Sequence, residues 1–254
     1  MKRVAVVTGA SSGMGKEFVS YIDKNFNSID EIWLIARRRD RLEEIRSEIN
    51  KSCLIVCEDI TDDVFKERFT KMLKQENPNI KLLINSAGYG IYGEVDSEAI
   101  EVETGMIDTN CTGLTTVTLA CVPYMKRNSR IINLASSAAF LPQPNFSVYA
   151  ASKAYVLSFS RALNRELKSR DIFVTSVCPG PVATDFFYIA EKGKEKPKWK
   201  EMFMTEAKDV VEQAIKDSID KKELSIYGIW MKMFHVLTKI VPHRIILRIY
   251  SIFN

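Results

Sequence analysis

Short apolar runs, many of them β-branched, alternate along this chain with longer stretches whose apolar positions recur every three or four residues. Residues 4–7, 31–36, 53–57, 80–84, 130–134, 172–177 and 223–227 are brief and nearly continuous, the pattern of strands buried on both faces. Between them the period becomes helical. Phe18, Val19 and Ile22 follow the first run, and residues 40–50, 62–75, 96–108, 111–126, 145–169 and 206–221 repeat the pattern. Asn110 falls inside the 96–126 stretch, where its side chain competes for backbone hydrogen bonds and predicts a kink. Regular alternation of strand and helix predicts an α/β fold, a doubly wound parallel sheet of about seven strands with helices on both faces. Residues 185–208 are aromatic and charged without a period, as expected of a lid over a binding cleft. In 228–254, Ile229, Trp230, Met233, Phe234, Leu237, Ile240 and Val241 keep helical spacing until Pro242, and a second apolar run follows. Two short helices are predicted there as a C-terminal extension.

With 254 residues and 46% hydrophobic content the chain can bury one sizeable core, so a single domain over 1–254 is expected. Net charge changes the picture only at the end. The balance is +4, and no acid follows Glu223, whereas Lys232, Lys239, Arg244 and Arg248 do. The tail therefore carries the whole excess, and nothing suggests a general nucleic-acid surface. Five cysteines (Cys53, Cys57, Cys111, Cys121, Cys178) have neither metal nor redox spacing, so no metal site is expected. The chain starts directly on a strand, without the look of a signal peptide, which leads to the expectation of a reducing, cytoplasmic setting.

The first strand runs into Thr8-Gly9-Ala10-Ser11-Ser12-Gly13-Met14-Gly15 and then a helix. In that context glycines make a dinucleotide phosphate site, as in a Rossmann fold. Gly9 permits the tight turn, Gly13 lets the backbone approach a pyrophosphate, and Gly15 lets helix and strand sit close. The helix N-terminus offers free N–H groups and the positive end of its dipole. At the end of the second strand, an NAD site usually carries an acid for the ribose 2′-hydroxyl. Here Ala36 stands there, followed by Arg37, Arg38 and Arg39. A guanidinium suits a 2′-phosphate, so NADP, with NADPH favoured over NADH, is expected with Arg37 and Arg38 as its contacts. The fourth strand ends in the small residues Asn85-Ser86-Ala87-Gly88, over which a flat cofactor can lie.

Tyr149 follows Ser136 by 13 residues and precedes Lys153 by four. Four residues are about one helical turn, so the phenol and the ammonium share a helix face, and Ser136 lies just past a strand. Taken with TGASSGMG at 8–15, Asp59, NSAG at 85–88, Asn110, and PGPVAT at 179–184, this chain resembles the short-chain dehydrogenase/reductase family over about residues 3–185. NSAG departs from the family's more usual two asparagines.

The resemblance implies that Tyr149 is general acid in carbonyl reduction and base in the reverse direction. Lys153 and an oxidised nicotinamide would lower the phenol below its ordinary pKa of about 10. Lys153 would also bind the nicotinamide ribose, Ser136 would hold the substrate oxygen, and Asn110 would hold a relay water beside Lys153. The implied cofactor contacts are Ser11, Ser12 and Met14 with the three glycines, Asp59 and Ile60 at the adenine, and Asn85, Ala87 and Gly88 on the adenosine side. Pro179, Gly180, Val182 and Thr184 would lie at the nicotinamide. It also implies pairing of helices 111–126 and 149–169 with symmetry mates into a homodimer or homotetramer.

His235 and His243, the only histidines, lie in the tail, which excludes a Ser-His-Asp triad within the sheet, and Gly15-Lys16-Glu17 lacks the hydroxyl of a Walker loop. The expected function is NADPH-dependent interconversion of a ketone and a secondary alcohol on a small apolar substrate such as a steroid, bile acid or acyl-chain ketone. One alternative is a 3-oxoacyl-carrier-protein reductase, with Lys192, Lys194, Lys196, Lys198 and Lys200 as a basic rim. Another is a non-catalytic cofactor sensor, which would have no need of Ser136, Tyr149 and Lys153. For the tail, packing on the domain and a neighbouring subunit is favoured over peripheral contact with an anionic membrane.

Overall fold

In the computed structural model, which describes residues 1–94, 96–190 and 204–253, the apolar runs become a seven-stranded parallel sheet in the order β3-β2-β1-β4-β5-β6-β7. Its strands are β1 (Arg3–Thr8), β2 (Glu31–Ile35), β3 (Ser52–Val56), β4 (Asn79–Asn85), β5 (Met125–Leu134), β6 (Ile172–Val177) and β7 (Leu224–Ser225). Alternate residues of each strand feed opposite layers. Ala5 and Val7 of β1 face α1 (Gly13–Asn25), α2 (Arg39–Glu48) and α8 (Ala207–Ile219) through Phe18, Ile22, Leu42, Val211 and Ile215. Val4 and Val6 face α3 (Asp63–Glu76), α5 (Leu114–Cys121) and α6 (Ser147–Glu166) through Phe65, Phe69, Val117 and Leu163. Each large side chain removed from water there contributes about 1.5–3 kcal/mol.

The strand order reverses between β1 and β4, so their C-terminal ends leave a crevice at the topological switch point. Thr8 pairs with Asn85 at that edge, which puts the glycine-rich loop beside the NSAG turn.

Three elements differ from the sequence pattern. The helix expected over 96–108 begins at Ile100 as α4 (Ile100–Ile107), because Ser97 closes a turn on the carbonyl of Glu94 (N–H 3.0 Å, hydroxyl 2.7 Å). The helix expected over 111–126 ends at Cys121: Pro123 has no N–H to continue it, and the chain turns through Val122–Tyr124 into β5. Strand β5 accordingly begins at Met125, five residues before the expected 130. Met125 pairs with Ile80, the register then shifts, and Leu82 pairs with Arg130. The polar run Lys126–Ser129 hides this start. The expected kink at Asn110 is a π-helical turn, Asp108–Gly113, between α4 and α5.

The segment expected as a lid begins with α7 (Asp185–Ala190). Residues 191–203, including Lys192, Lys194, Lys196, Lys198 and Lys200, lie outside the described residues. The tail forms the two expected helices, α9 (Ile229–Ile240) and α10 (His243–Phe253). Among the described residues, no helix is long and apolar enough to cross a membrane.

Candidate active site

The crevice is built from backbone first. Gly9 has φ +65°, and a Cβ added to it would meet the Ala87 amide nitrogen at 2.7 Å. A side chain on Gly15 would strike the Gly9 carbonyl oxygen, so α1 enters directly against the turn. Thr8 Oγ1 accepts hydrogen bonds from the N–H groups of Ser86 and Ala87, both at 3.1 Å, and locks the two turns together. A Cβ on Gly13 would sit 3.5 Å from Thr184, so the 179–184 segment reaches the same loop. Pro179 accepts from the Ser137 N–H at 2.9 Å, and Val182 bridges to Thr205.

The two candidate 2′-phosphate arginines are held differently. Arg38 donates to the hydroxyls of Ser11 at 3.0 Å and Ser12 at 2.7 Å, facing the glycine-rich loop. Arg37 instead pairs with Asp59 at 3.3 Å. Burial alone would raise the Asp59 carboxyl, but hydrogen bonds from Thr61 and the Arg37 charge outweigh it and hold the acid below its usual range. Lys16 and Arg41 line the cleft beside Ser11 and Ser12, and neither was singled out from the sequence. Met14 packs against the core, and Ile60 is buried beneath Gly113. Cradle and guanidinium together fit a dinucleotide bearing a 2′-phosphate.

Asn85 turns inward. Its amide donates to Thr118 and Asn133, both at 2.8 Å, and Asn133 passes the chain on to Ser160 at 2.9 Å. Its side chain thus ties β4 to β5 and α5 beneath the crevice.

At the ends of β5 and α6, Ser136, Tyr149 and Lys153 converge. Ser136 caps a short turn, its hydroxyl accepting the Ala138 N–H at 3.1 Å, and it shares a hydrogen bond with the Tyr149 phenol. One turn along α6, Lys153 Nζ donates to the Leu134 carbonyl at 2.8 Å and lies 5.6 Å from the Tyr149 ring centre. Both titratable groups are buried. Burial pushes the phenol up to about 12, with the Ser136 bond working the other way, so protein groups alone do not give the lowered phenol that the sequence reading expected. Burial also brings the Lys153 ammonium down, to about 8. Asn110 sits in the π-helical turn, where its amide clamps Tyr89, accepting from the N–H at 3.1 Å and donating to the carbonyl at 2.9 Å. It also donates to Ser152 at 3.0 Å. A Cβ on Gly88 would lie 2.7 Å from the Asn110 carbonyl oxygen and 3.2 Å from Lys153 Nζ, so these groups meet at one point.

The pocket walls were not legible as such. Phe146 stacks on Tyr149 with ring centres 4.2 Å apart, Tyr92 packs on Phe146 at 5.8 Å, and Phe186 lies 5.4 Å from Tyr149. Phe146 stands three residues before Tyr149, a helical spacing that could have signalled the contact. Beyond Ser136, Phe140 meets Phe234 and His235 of α9, while Met231 covers Gly180. The structure therefore brings the tail onto the site, in line with the packing on the domain that the sequence favoured.

A family model described as short chain dehydrogenase matches residues 3–195. An uncharacterized oxidoreductase of Staphylococcus epidermidis is 33% identical over 197 residues, spanning 77% of this chain and 84% of that protein. The NADP-dependent 3-hydroxy acid dehydrogenase YdfG of Escherichia coli is also 33% identical over 197 residues, spanning 76% and 78%. Among solved structures, the closed form of serine dehydrogenase complexed with NADP+ superposes with a TM-score of 0.78 at 28% identity, covering 88% of this chain and 94% of that one.

Proposed function

The chain belongs to the short chain dehydrogenase family of oxidoreductases, and from that premise we propose that it interconverts a ketone and a secondary alcohol on an apolar substrate with NADP as cofactor. The observation that carries this is the buried Tyr149 phenol, bonded to Ser136, one turn from Lys153 and walled by Phe146 and Phe186.

When bound, NADPH would supply the hydride. Its pyrophosphate would be held by Gly9, Gly13 and Gly15 with Ser11, Ser12 and Met14, and its 2′-phosphate by Arg38, with Arg37 and Asp59 near it. Ile60, Ala87, Gly88, Pro179, Gly180, Val182 and Thr184, together with the backbone at Asn85, would meet the rest of the cofactor. In the reductive direction the Ser136 hydroxyl donates to the carbonyl oxygen and stabilises the charge that develops there. The Tyr149 phenol gives that oxygen its proton, and the Lys153 ammonium stabilises the phenolate left behind. Solvent then returns a proton to Tyr149. Asn110 holds Tyr89 and Gly88 against Lys153 and keeps the three groups in register.

The similarity to NADP-dependent relatives supports the cofactor. The aromatic walls support an apolar substrate such as a steroid or acyl-chain ketone, since stacked rings offer area but little to a carboxylate. A 3-hydroxy acid is the second reading, carried by the likeness to the Escherichia coli enzyme. A screen of ketone classes by NADPH oxidation separates them. Tyr149→Phe should bind NADPH as the unmodified protein does while turnover drops by several orders of magnitude. Substantial residual turnover would refute the role of Tyr149.

A further inference from the structure

One face of α9 packs on the site, and among the described residues the other is largely exposed. Met231, Phe234 and Thr238 turn inward, with Met231 on Gly180 and Phe234 on Phe140. Ile229, Met233, Val236, Leu237 and Ile240 are 50–74% exposed. At 3.6 residues per turn these five side chains fall within an arc of roughly 100°, opposite the packed face. Lys232 and Lys239 stand on one flank of that arc, and both are exposed. Helix α10 adds Arg244 and Arg248 one turn apart, and no acid occurs after Glu223.

An outward apolar stripe bordered by cations, in a segment without acids, is the arrangement of a helix lying in a membrane interface. We propose that α9 and α10 dock on the surface of an anionic lipid bilayer, with the apolar stripe among the acyl chains and the lysines and arginines at the lipid phosphates. Charge complementarity selects this occupant over a second copy of the chain. Two copies pairing antiparallel through this face, about a twofold axis perpendicular to α9, would set Lys232 and Lys239 against their own counterparts, with no carboxylate in the segment to neutralise them. The inward face of α9 meanwhile lines the substrate cleft, so docking would bring that cleft to the lipid phase.

The test is co-sedimentation of the full chain with vesicles of phosphatidylcholine, with and without phosphatidylglycerol. Partition onto the anionic vesicles should exceed partition onto the neutral ones by at least about tenfold at low salt, and should fall as salt screens the attraction. Each basic residue near an anionic surface is worth about fivefold, so Lys232→Gln with Lys239→Gln should cut anionic binding on the order of 25-fold. Ile229→Asn with Ile240→Asn should weaken binding while reduction of a water-soluble ketone, read alongside, stays unchanged and reports an intact fold. Equal binding to both vesicle types without salt dependence, or binding to neither, overturns the proposal. So does a fall in molar mass by light scattering for the isoleucine variant with vesicles ignored, which would assign the stripe to a second copy. Vesicle binding is read without turnover of an apolar substrate, so it stands or falls apart from the reaction proposed above.

Discussion

Two arginines adjacent in sequence have been given different work. Arg37 is drawn to Asp59, whereas Arg38 reaches across to Ser11 and Ser12, where the glycine-rich loop would present a 2′-phosphate. Arg38→Ala should therefore lower the ratio of kcat/KM for NADPH over NADH by on the order of 100-fold, the worth of a lost charged phosphate contact. Arg37→Ala should lower it several-fold less, and equal effects would contradict this division. The buried pair Tyr149 and Lys153 sets the pH behaviour. Lys153 is charged below about 8 and neutral above it, while Tyr149 holds its proton to about 12. Reduction needs the phenol protonated and the ammonium charged, so kcat/KM for the ketone should fall as pH rises through about 8. A reduction profile flat to pH 10 would show that Lys153 keeps its charge.

At the scale of elements, the π-helical turn Asp108–Gly113 decides where Asn110 points, because a regular helix through 96–126 would carry it round to another face. The wide turn instead sends its amide to both backbone groups of Tyr89 and to Ser152. Asn110→Ala leaves the Tyr89 N–H unpaired in a half-buried place. It should cost roughly 2–4 kcal/mol in denaturant unfolding and reduce turnover together with stability. A variant as stable as the parent would mean that the 85–89 turn is held by Thr8 alone. Pro123 is the other decisive residue at this scale, since it releases the chain into β5 and so places Ser136 at a strand end.

For the molecule as a whole, α5 and α6 leave Leu119 and Tyr155 exposed on one side of the sheet, away from the crevice. Tyr155 is already ordered there by Thr115 at 2.9 Å and by its stack on Phe159. We expect this side to join copies of the chain. Light scattering at micromolar concentration should give a dimer or tetramer, and Leu119→Glu with Tyr155→Glu should shift it toward monomer. A monomeric parent protein would remove the expectation.

The alternation of short apolar runs with helical repeats was enough to read the parallel sheet, because strands buried on both faces and one-faced helices impose different periods on the chain. The spacing of Tyr149 and Lys153 and the glycines after β1 were equally legible, since each depends on a single turn of backbone. Strand β5 was legible only in part: polar residues follow Met125, and the pairing of Met125 with Ile80 of β4 is a contact across 45 positions. Only the folded molecule decided which arginine faces the glycine-rich loop, that Asn85 points into the core, and that Phe146 and Phe186 wall the phenol. It alone split α9 into a face that closes the cleft and a face that meets the surroundings. Those outcomes depend on neighbours distant in sequence, and the local period of hydrophobic residues carries no record of which distant surface will cover them.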